Sequence, residues 1–397
     1  MITIGGYLHR EELRDLISRA MHGTPAPGDG EALTRLVHFN QLFVYRYLRI
    51  FCRRLFGALH GPDLREEEID NKGRLKAAIV RRPPYRNERI DALISAFEEQ
   101  PGRYYLETPC RAVLVFGKGD SKERFVGSWR IKRVRRLAEK VARRISDWIY
   151  DAIKKRAMDL AAERAARLHV PRESLLSTPE EMLAEFIAAE ERFTQDMKNL
   201  RIANDPDLLV INDVAGVKVV LEDGERAALR RALETFENCR VIEEERHQGL
   251  YNADNLVVRI EPPKEEIVSR PIPPVVREAL VRRGMGVDRQ ADEFAAFVRS
   301  GEREVDLEII CSNYQELLES EIGRCMHEDR IISQRLHQQY RGHLAKNVEY
   351  LVRYLFLFPF SDRPDLEELP VRIWDRYLPD YFDSVIARLF HIPPGDY

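Results

Sequence analysis

The chain contains 397 residues, of which 44% are hydrophobic and 32% charged, and its formal net charge is −3. This length and composition are those of a globular protein with two or three domains. The net charge neither favours nor excludes a nucleic-acid partner, because the local distribution of charge matters more than its sum. The five cysteines are scattered and odd in number, so a disulfide framework is not expected.

Two features of the sequence bear on where the protein works. The start, MITIGGYLHREELRDL, has no basic region followed by a long apolar stretch, so no secretory signal is expected. The most apolar run, LVRYLFLFPF at 351–360, is interrupted by Arg353 and Pro359 and is too short to span a bilayer. We therefore predict a cytoplasmic protein without a membrane-spanning segment.

The first predicted region, residues 1–128, is mostly helical. Residues 31–60 place apolar side chains at helical spacing with a basic opposite face. Residues 110–125 begin with a strand-like run and then turn on two glycines. That turn, FGKGDS, lacks the spacing of a phosphate-binding loop, so a hairpin or surface loop is expected.

Residues 129–193 are predicted to be a basic helical connector. Several bases fall within a few turns at its start: Lys132, Arg133, Arg135, Arg136, Lys140, Arg143 and Arg144. The basic helix at 131–156 is either a solvated face or a binding face for tRNA, other RNA or another anionic ligand. A second helix is expected to begin near Pro179, with Ser177 or Thr178 as its cap.

The hydrophobic pattern then changes from helical to strand-like spacing within residues 194–336. A strand at 207–221 is followed by a helix at 224–239, two strands, a largely helical insertion at 262–303, a strand at 304–312 and a helix at 314–336. This order predicts an α/β unit with about four strands. Residues 337–397 again have a helical pattern.

The first of these strands carries charges that are unusual for a half-buried strand. In INDVAGVKVVL, at 211–221, the valines favour a pleated strand, whereas Asp213 and Lys218 are costly there unless they reach a cleft or a partner. The pattern is compatible with polar strand ends in solvent. It is also compatible with a strand that presents a carboxylate to a metal or a phosphate.

Three segments in this region resemble motifs of the RelA/SpoT synthetase family, the enzymes that make guanosine polyphosphate alarmones. DVAGVKVV (213–220) is similar to the strand D-[IV]-A-G-[IL]-R-[VI]-V, LYNADNLVV (250–258) to G-Y-x-S-x-H-x-x-V, and VDLEIIC (305–311) to V-E-x-Q-I-R-T. The resemblance covers roughly residues 194–330 and depends on the order of the three matches. It implies an α/β (α+β) fold: a mixed β-sheet, nucleotidyltransferase-like core flanked by N- and C-terminal helical regions.

The resemblance also implies a set of site residues. Asp213 and Asp306 match the family's catalytic and metal-binding acids, which would hold Mg²⁺ with the phosphates of ATP. Tyr251 matches the residue that stacks on the acceptor guanine. The remaining implied substrate-binding residues are Lys198, Lys218, Arg246, His247, Asn255 and Glu308.

Five of these residues also have a purely structural interpretation. Asp213 could cap a turn before Gly216, and Asp306 could point outward from an edge strand. Tyr251 could be a packing aromatic residue, and the lysines could be solvated.

The match is incomplete at several positions. Lys218 replaces the arginine of the family's first strand, and Asn255 replaces the histidine of its tyrosine motif. In the Q-I-R-T segment stand Glu308, Ile310 and Cys311, so an arginine is lost and an acid is added. Glu190 and Glu191 occupy the place of the basic stretch that grips ATP.

Three functions are consistent with this sequence. The first is Mg²⁺-dependent pyrophosphoryl transfer from ATP to the 3′-hydroxyl of a guanine nucleotide. The second is the same transfer to the 3′ end of tRNA, as in toxin members of the family. The third is a catalytically inactive nucleotide sensor or scaffold.

Overall fold

The computed structural model describes residues 2–118, 123–199, 210–336, 342–363, 366 and 368–389. Over these residues the protein is a mixed α/β structure with a seven-stranded sheet, which confirms the predicted mixture of helices and strands. The strands are β1 (Thr3–Ile4), β2 (Leu64–Asn71), β3 (Pro109–Lys118), β4 (Glu123–Ile131), β5 (Val210–Ile211), β6 (Ala215–Val220), β7 (Cys239–His247), β8 (Ala253–Ile260) and β9 (Val305–Ser312).

Helices surround this sheet on both faces. They are α1 (Arg10–Met21), α2 (Asp29–His60), α3 (Lys72–Arg81), α4 (Glu88–Glu99), α5 (Val134–Arg167), α6 (Pro179–Lys198), α7 (Arg226–Glu234), α8 (Lys264–Val268), α9 (Pro274–Arg282), α10 (Val287–Ser300), α11 (Tyr314–Ile322), α12 (His327–Leu336), α13 (His343–Leu357) and α14 (Pro379–Leu389). The order of elements predicted for residues 207–336 is present with two differences. The single strand predicted at 207–221 is two strands, β5 and β6, separated by a turn, and its first residues, 207–209, lie outside the described residues. Gly323 separates the last predicted helix into α11 and α12.

The sheet order is β2-β3-β4-β6-β9-β8-β7. Neighbouring strands are antiparallel except β6 and β9, which are parallel. Strands β1 and β5 form a separate short parallel pair. Because β6 and β9 are central strands, the interpretation of Asp306 as an outward residue on an edge strand is wrong.

The two faces of the sheet pack against different helices. On one face, Val217, Leu307 and Ile309 are fully buried in a large core with α2, α5 and α13. On the other face, a second core that includes Leu114 of β3 and Leu317 of α11 covers the β2-β3-β4 end. The rest of this second face, over β4, β6, β9 and β8, carries a mixture of polar side chains such as Lys218, Glu308 and Asn255 with the apolar Val257 and Ile310.

The sheet also draws on residues that precede the α/β unit predicted from the sequence. Residues 1–128, predicted to be mostly helical, contribute β2, β3 and most of β4. The helix expected from residue 129 begins at Val134 instead, because β4 continues to Ile131. Strands β3 and β4 form an antiparallel hairpin, and most of its glycine turn, 119–122, lies outside the described residues.

The predicted insertion at 262–303 is helical and is anchored on α2. Arg46 of α2 donates hydrogen bonds to the carbonyl oxygens of Ile267 at 2.6 Å and Pro271 at 2.8 Å. In the C-terminal region, most of the apolar run at 351–360 belongs to α13 and is buried. None of the helices in the described ranges is long and apolar enough to cross a membrane.

Candidate functional site

A glycine on the central strand β6 leaves a gap on the polar face of the sheet. Arg130 of β4 pairs with Gly216, and Gly216 pairs with Glu308 of β9. Directly paired residues project from the same face, so Arg130 and Glu308 flank the glycine at two strand spacings, about 10 Å. A Cβ atom on Gly216 would meet only Glu308 Oε2, at 3.8 Å. We call these three residues the Gly216 notch.

Both charged side chains of the notch lack a direct partner. Within the described ranges, the side chains of Arg130 and Glu308 form no hydrogen bond and no ion pair. Burial raises the pKa of Glu308, and the nearby charge of Asp213 raises it further. Half-buried charges without partners are costly, so the notch has unused capacity to bind a polar ligand.

Asp213 lies beside the notch, in the turn between β5 and β6. The Nζ atoms of Lys132 and Lys140 each donate to Asp213 Oδ2 at 2.5 Å. Burial alone would raise the pKa of Asp213, but the two lysines hold it at about 2. Asp213 Oδ1 is buried and accepts no hydrogen bond within the described structure.

Lys218, two residues beyond Gly216, joins a buried network of charges. Its Nζ donates to Glu321 Oε1 at 2.7 Å, and Lys72 Nζ donates to Glu321 Oε2 at 2.6 Å. Lys72 also forms an ion pair with Glu328 at 3.2 Å. Burial lowers the pKa of Lys218, an effect to which the charges of Lys72 and Arg130 contribute. Lys218, one of the two substrate-binding lysines implied by the resemblance, therefore already has a partner within the protein.

The tyrosine motif lies at the β8 side of the same polar face. The ring of Tyr251 lies 5.6 Å from that of His247, and the guanidinium of Arg330 lies 4.8 Å above the Tyr251 ring. Asn255 Nδ2 and His247 Nε2 are 3.1 Å apart, and Asn255 Oδ1 is buried without a hydrogen-bond partner in the described part of the chain. Arg330 thus occupies one face of the ring to which the resemblance assigns base stacking.

Arg246, in contrast, is a surface residue. About two thirds of its side chain is exposed, and it lies 3.5 Å from Asp254. The structure places it on β7, at the margin of the polar face.

Asp306 is held in a different interaction from the one implied by the resemblance. Arg259 of β8 donates to both carboxylate oxygens, at 2.7 and 3.0 Å, and the Asp306 side chain is only 3% exposed. Its backbone N–H donates to the carbonyl of Gly5 at 2.9 Å. Asp306 is thus part of a buried ion pair, and the acid of β9 whose charge acts on Asp213 is Glu308.

Lys198 lies outside this set of residues. It ends α6, and its Nζ lies 5.3 Å above the ring of Trp374. Parts of the predicted basic face on α5 are also used internally, since Lys140 binds Asp213 and Arg156 donates to Asp196 at 2.8 Å.

These contacts do not fit a magnesium ion held by Asp213 and Asp306. Two ammonium groups contact Asp213 Oδ2, and a guanidinium takes both oxygens of Asp306. Among the residues that the structure describes, no three His, Cys, Asp or Glu side chains converge to hold a metal ion. Asp213 Oδ1 and the Glu308 carboxylate still lack partners within the described residues, whereas Asp306 is not available as the second acid implied by the resemblance.

The sequence interpretation missed Arg130 and did not connect Lys132 and Lys140 with Asp213. Arg130 lies in β4, Lys132 follows that strand and Lys140 lies in α5, whereas the sequence pattern predicts a helix from residue 129 onward. Polar and apolar residues alternate in SWRI, at 128–131, and this alternation could have shown that the strand continues to Ile131.

Comparisons with protein-family models, with curated proteins and with solved structures found no match for this chain. They therefore neither support nor refute the resemblance to RelA/SpoT synthetases.

Proposed function

We propose that the polar face of the sheet binds a nucleotide polyphosphate, and that the protein transfers a pyrophosphoryl group from ATP to the 3′-hydroxyl of a guanine nucleotide. The observation that carries this proposal is the Gly216 notch, where Arg130 and Glu308 face an open space without partners of their own. The nucleotidyltransferase-like assignment of the core belongs to the same proposal. It is supported by the order of elements from β6 to α11.

The notch suggests distinct roles for its two charged groups. Arg130 presents a planar set of donors that suits phosphate oxygens, and Lys132 lies two residues beyond it. Glu308 is the free carboxylate on the opposite side. It would accept the proton of the attacking hydroxyl, as a general base must lie within reach of the proton it removes. Tyr251, near the same face, would contact the base of the acceptor once Arg330 moves aside.

The test uses the full-length protein with γ-labelled ATP and Mg²⁺, offering GDP, GTP and bulk tRNA in parallel. We expect label to move to a guanine nucleotide in the wild type, and to be lost in Arg130→Met and Glu308→Gln. Arg133→Met, a neighbouring exposed arginine, serves as the matched control and should retain transfer. If Arg130→Met and Glu308→Gln both transfer label as fast as the wild type, the Gly216 notch is not the active site.

A second candidate, nucleotide sensing without turnover, is favoured by one observation. Asp213 and Asp306, the two acids that the resemblance assigns to the metal, are both in ion pairs with residues of this chain. Calorimetric binding of ATP or GTP that depends on Arg130, with no transfer to any acceptor, would select this function. Label on tRNA alone would select the tRNA-modifying alternative.

A further inference from the structure

Two lysines occupy the position next to Asp213 at which the resemblance implies a metal ion. Lys132 and Lys140 approach the same carboxylate oxygen, each at 2.5 Å. Their side chains are 21% and 33% exposed, so the ammonium groups are only partly hydrated. Burial lowers the pKa of Lys132 to about 8, and the charges of Lys140 and Arg130 contribute to this.

The backbone fixes this arrangement. The N–H of Lys132 donates to the carbonyl of Val214 at 2.7 Å, which joins the start of the β4–α5 connection to the turn that carries Asp213. Lys140 is in the second turn of α5, which is packed into the large core by Leu137 and Val141. The two ammonium groups are therefore placed by the fold and do not depend on a flexible surface loop.

The charges here do not balance. Arg130, Lys132 and Lys140 supply three positive charges, against Asp213 and Glu308. Each ammonium group has three N–H donors and uses one on Asp213, and the Arg130 guanidinium uses none within the described ranges. This surplus of oriented donors is a feature of anion sites.

We propose that Arg130, Lys132 and Lys140 form a metal-independent binding site for a phosphate or pyrophosphate group, in which Asp213 positions the two lysines. This inference rests on the proposed function in one respect: both place the bound phosphate groups on the polar face of the sheet. It assigns Asp213 a role opposite to that of a metal ligand. The carboxylate orients the lysines but repels the bound anion.

The experiment measures binding of inorganic pyrophosphate to the full chain by calorimetry, once with EDTA and once with Mg²⁺. We expect binding in EDTA. Asp213→Asn keeps the shape and an acceptor for the lysines but removes the repelling charge, so it should bind about tenfold more tightly. Lys140→Gln and Arg130→Met should each weaken binding about tenfold.

Two variants serve as controls. Asp196→Asn removes an acid of α6 that pairs with Arg156 of α5, the helix that also carries Lys140. Lys155→Gln removes an exposed base of α5. Neither should change the affinity for pyrophosphate. If Asp213→Asn fails to fold in a thermal melt, Lys140→Gln and Arg130→Met decide the question.

Binding that requires Mg²⁺ and is abolished by Asp213→Asn would overturn the inference and leave the proposed transferase intact. Absence of pyrophosphate binding in both buffers would also overturn it. The proposed function is then judged separately, by binding of ATP and GTP to the same protein sample. Binding in EDTA without any transfer would support the inference while the transferase proposal fails.

Discussion

At the scale of single residues, the candidate site depends on the absence of a side chain at Gly216. A side chain there would stand between Arg130 and Glu308 on the face of a central strand. The backbone does not demand glycine at this position, since its φ lies outside the left-handed region and a Cβ atom would meet no close contact. The absence of a side chain therefore serves the open face and not the fold.

The variant Gly216→Val distinguishes a role of Gly216 in ligand binding from a role in the stability of the fold. Because valine favours a strand more than glycine does, we expect the free energy of unfolding to stay equal or to rise by up to about 1 kcal/mol. The isopropyl group would fill the notch, so binding of pyrophosphate and of ATP should be lost. Urea unfolding and calorimetry measure the two effects, and Gly216→Ala should show a smaller loss of binding. Unchanged binding in Gly216→Val would place the ligand elsewhere.

His60 is a half-buried base that is uncharged in the folded protein at neutral pH. Its Nε2 is buried without a hydrogen-bond partner within the described structure. Burial lowers the pKa of His60 to about 4, and the charge of Arg124 contributes to this. The folded state thus binds the proton less readily than the unfolded state, whose histidine pKa is near 6.5.

The sign of the pH effect follows from this lowered pKa. Stability should fall as the pH drops from about 6.5 towards 4, by about 1–2 kcal/mol from this group after allowance for its partial exposure. Urea unfolding of the wild type and of His60→Gln at pH 7 and pH 5 isolates its share. We expect the wild type to lose more stability than the variant between these two values. An equal loss would show that His60 does not contribute.

At the scale of elements, two acids of the same strand, Asp306 and Glu308, have different surroundings. They are two residues apart on β9 and project from the same face, but they meet different neighbours on the adjacent strands. Asp306 is opposite Arg259, whereas Glu308 is next to Gly216 and opposite Val257. The first acid therefore forms a buried ion pair that joins β8 to β9. The second remains available for a ligand.

Removing one partner of this pair should be costly. Arg259→Met leaves the buried carboxylate of Asp306 unpaired, and we expect the free energy of unfolding to fall by about 3 kcal/mol. The double variant Arg259→Met/Asp306→Leu should recover most of this loss, because it leaves no unpaired buried charge.

The comparison variant is Arg240→Met, which breaks the more exposed pair of Arg240 with Glu304. It should cost less than about 1 kcal/mol. Urea unfolding measures all three variants. A negligible effect of Arg259→Met would mean that Asp306 is not held by this pair in solution and is free for another role.

At the scale of the whole molecule, the N-terminal segment ties the central sheet to the helices behind it. Ile4 pairs with Ile211 in the β1–β5 pair, and the Gly5 carbonyl accepts from the backbone of Asp306. Asn40 of α2 is fully buried, and it accepts from the Leu8 N–H at 2.7 Å and donates to the Leu8 carbonyl at 3.0 Å. Residues distant in sequence are thereby brought together next to the candidate site.

Asn40→Ala tests this connection. The change would leave the buried N–H and carbonyl of Leu8 without their partners, so we expect a loss of about 2–4 kcal/mol in the free energy of unfolding. Hydrogen exchange at residues 4–8 should accelerate more than exchange in α13. Uniform acceleration throughout the chain would indicate global destabilisation and contradict a local role for Asn40.

The sequence by itself determined most of the local structure from residue 175 onward. The spacing of hydrophobic residues predicted β6, β8 and β9 and the helices between them. Burial of one face imposes a period of about two residues on a strand and about 3.6 residues on a helix. Side-chain chemistry identified the start of α6, where Thr178 accepts from the Glu181 N–H and Pro179 follows it. Such features depend on residues that are close in the chain.

Only the tertiary structure decided which of these residues form a site. The pairing of β4 with β6 brings Arg130 beside Gly216, and the start of α5 brings Lys132 and Lys140 to Asp213. The pairing of β8 with β9 brings Asp306 opposite Arg259, and it leaves the Glu308 side chain opposite Val257 without a partner in the described part of the chain. A strand pattern states which face a residue occupies but not which strand lies beside it. That choice is made by long-range packing and register, so the partners of Asp213 could not be predicted from its own motif.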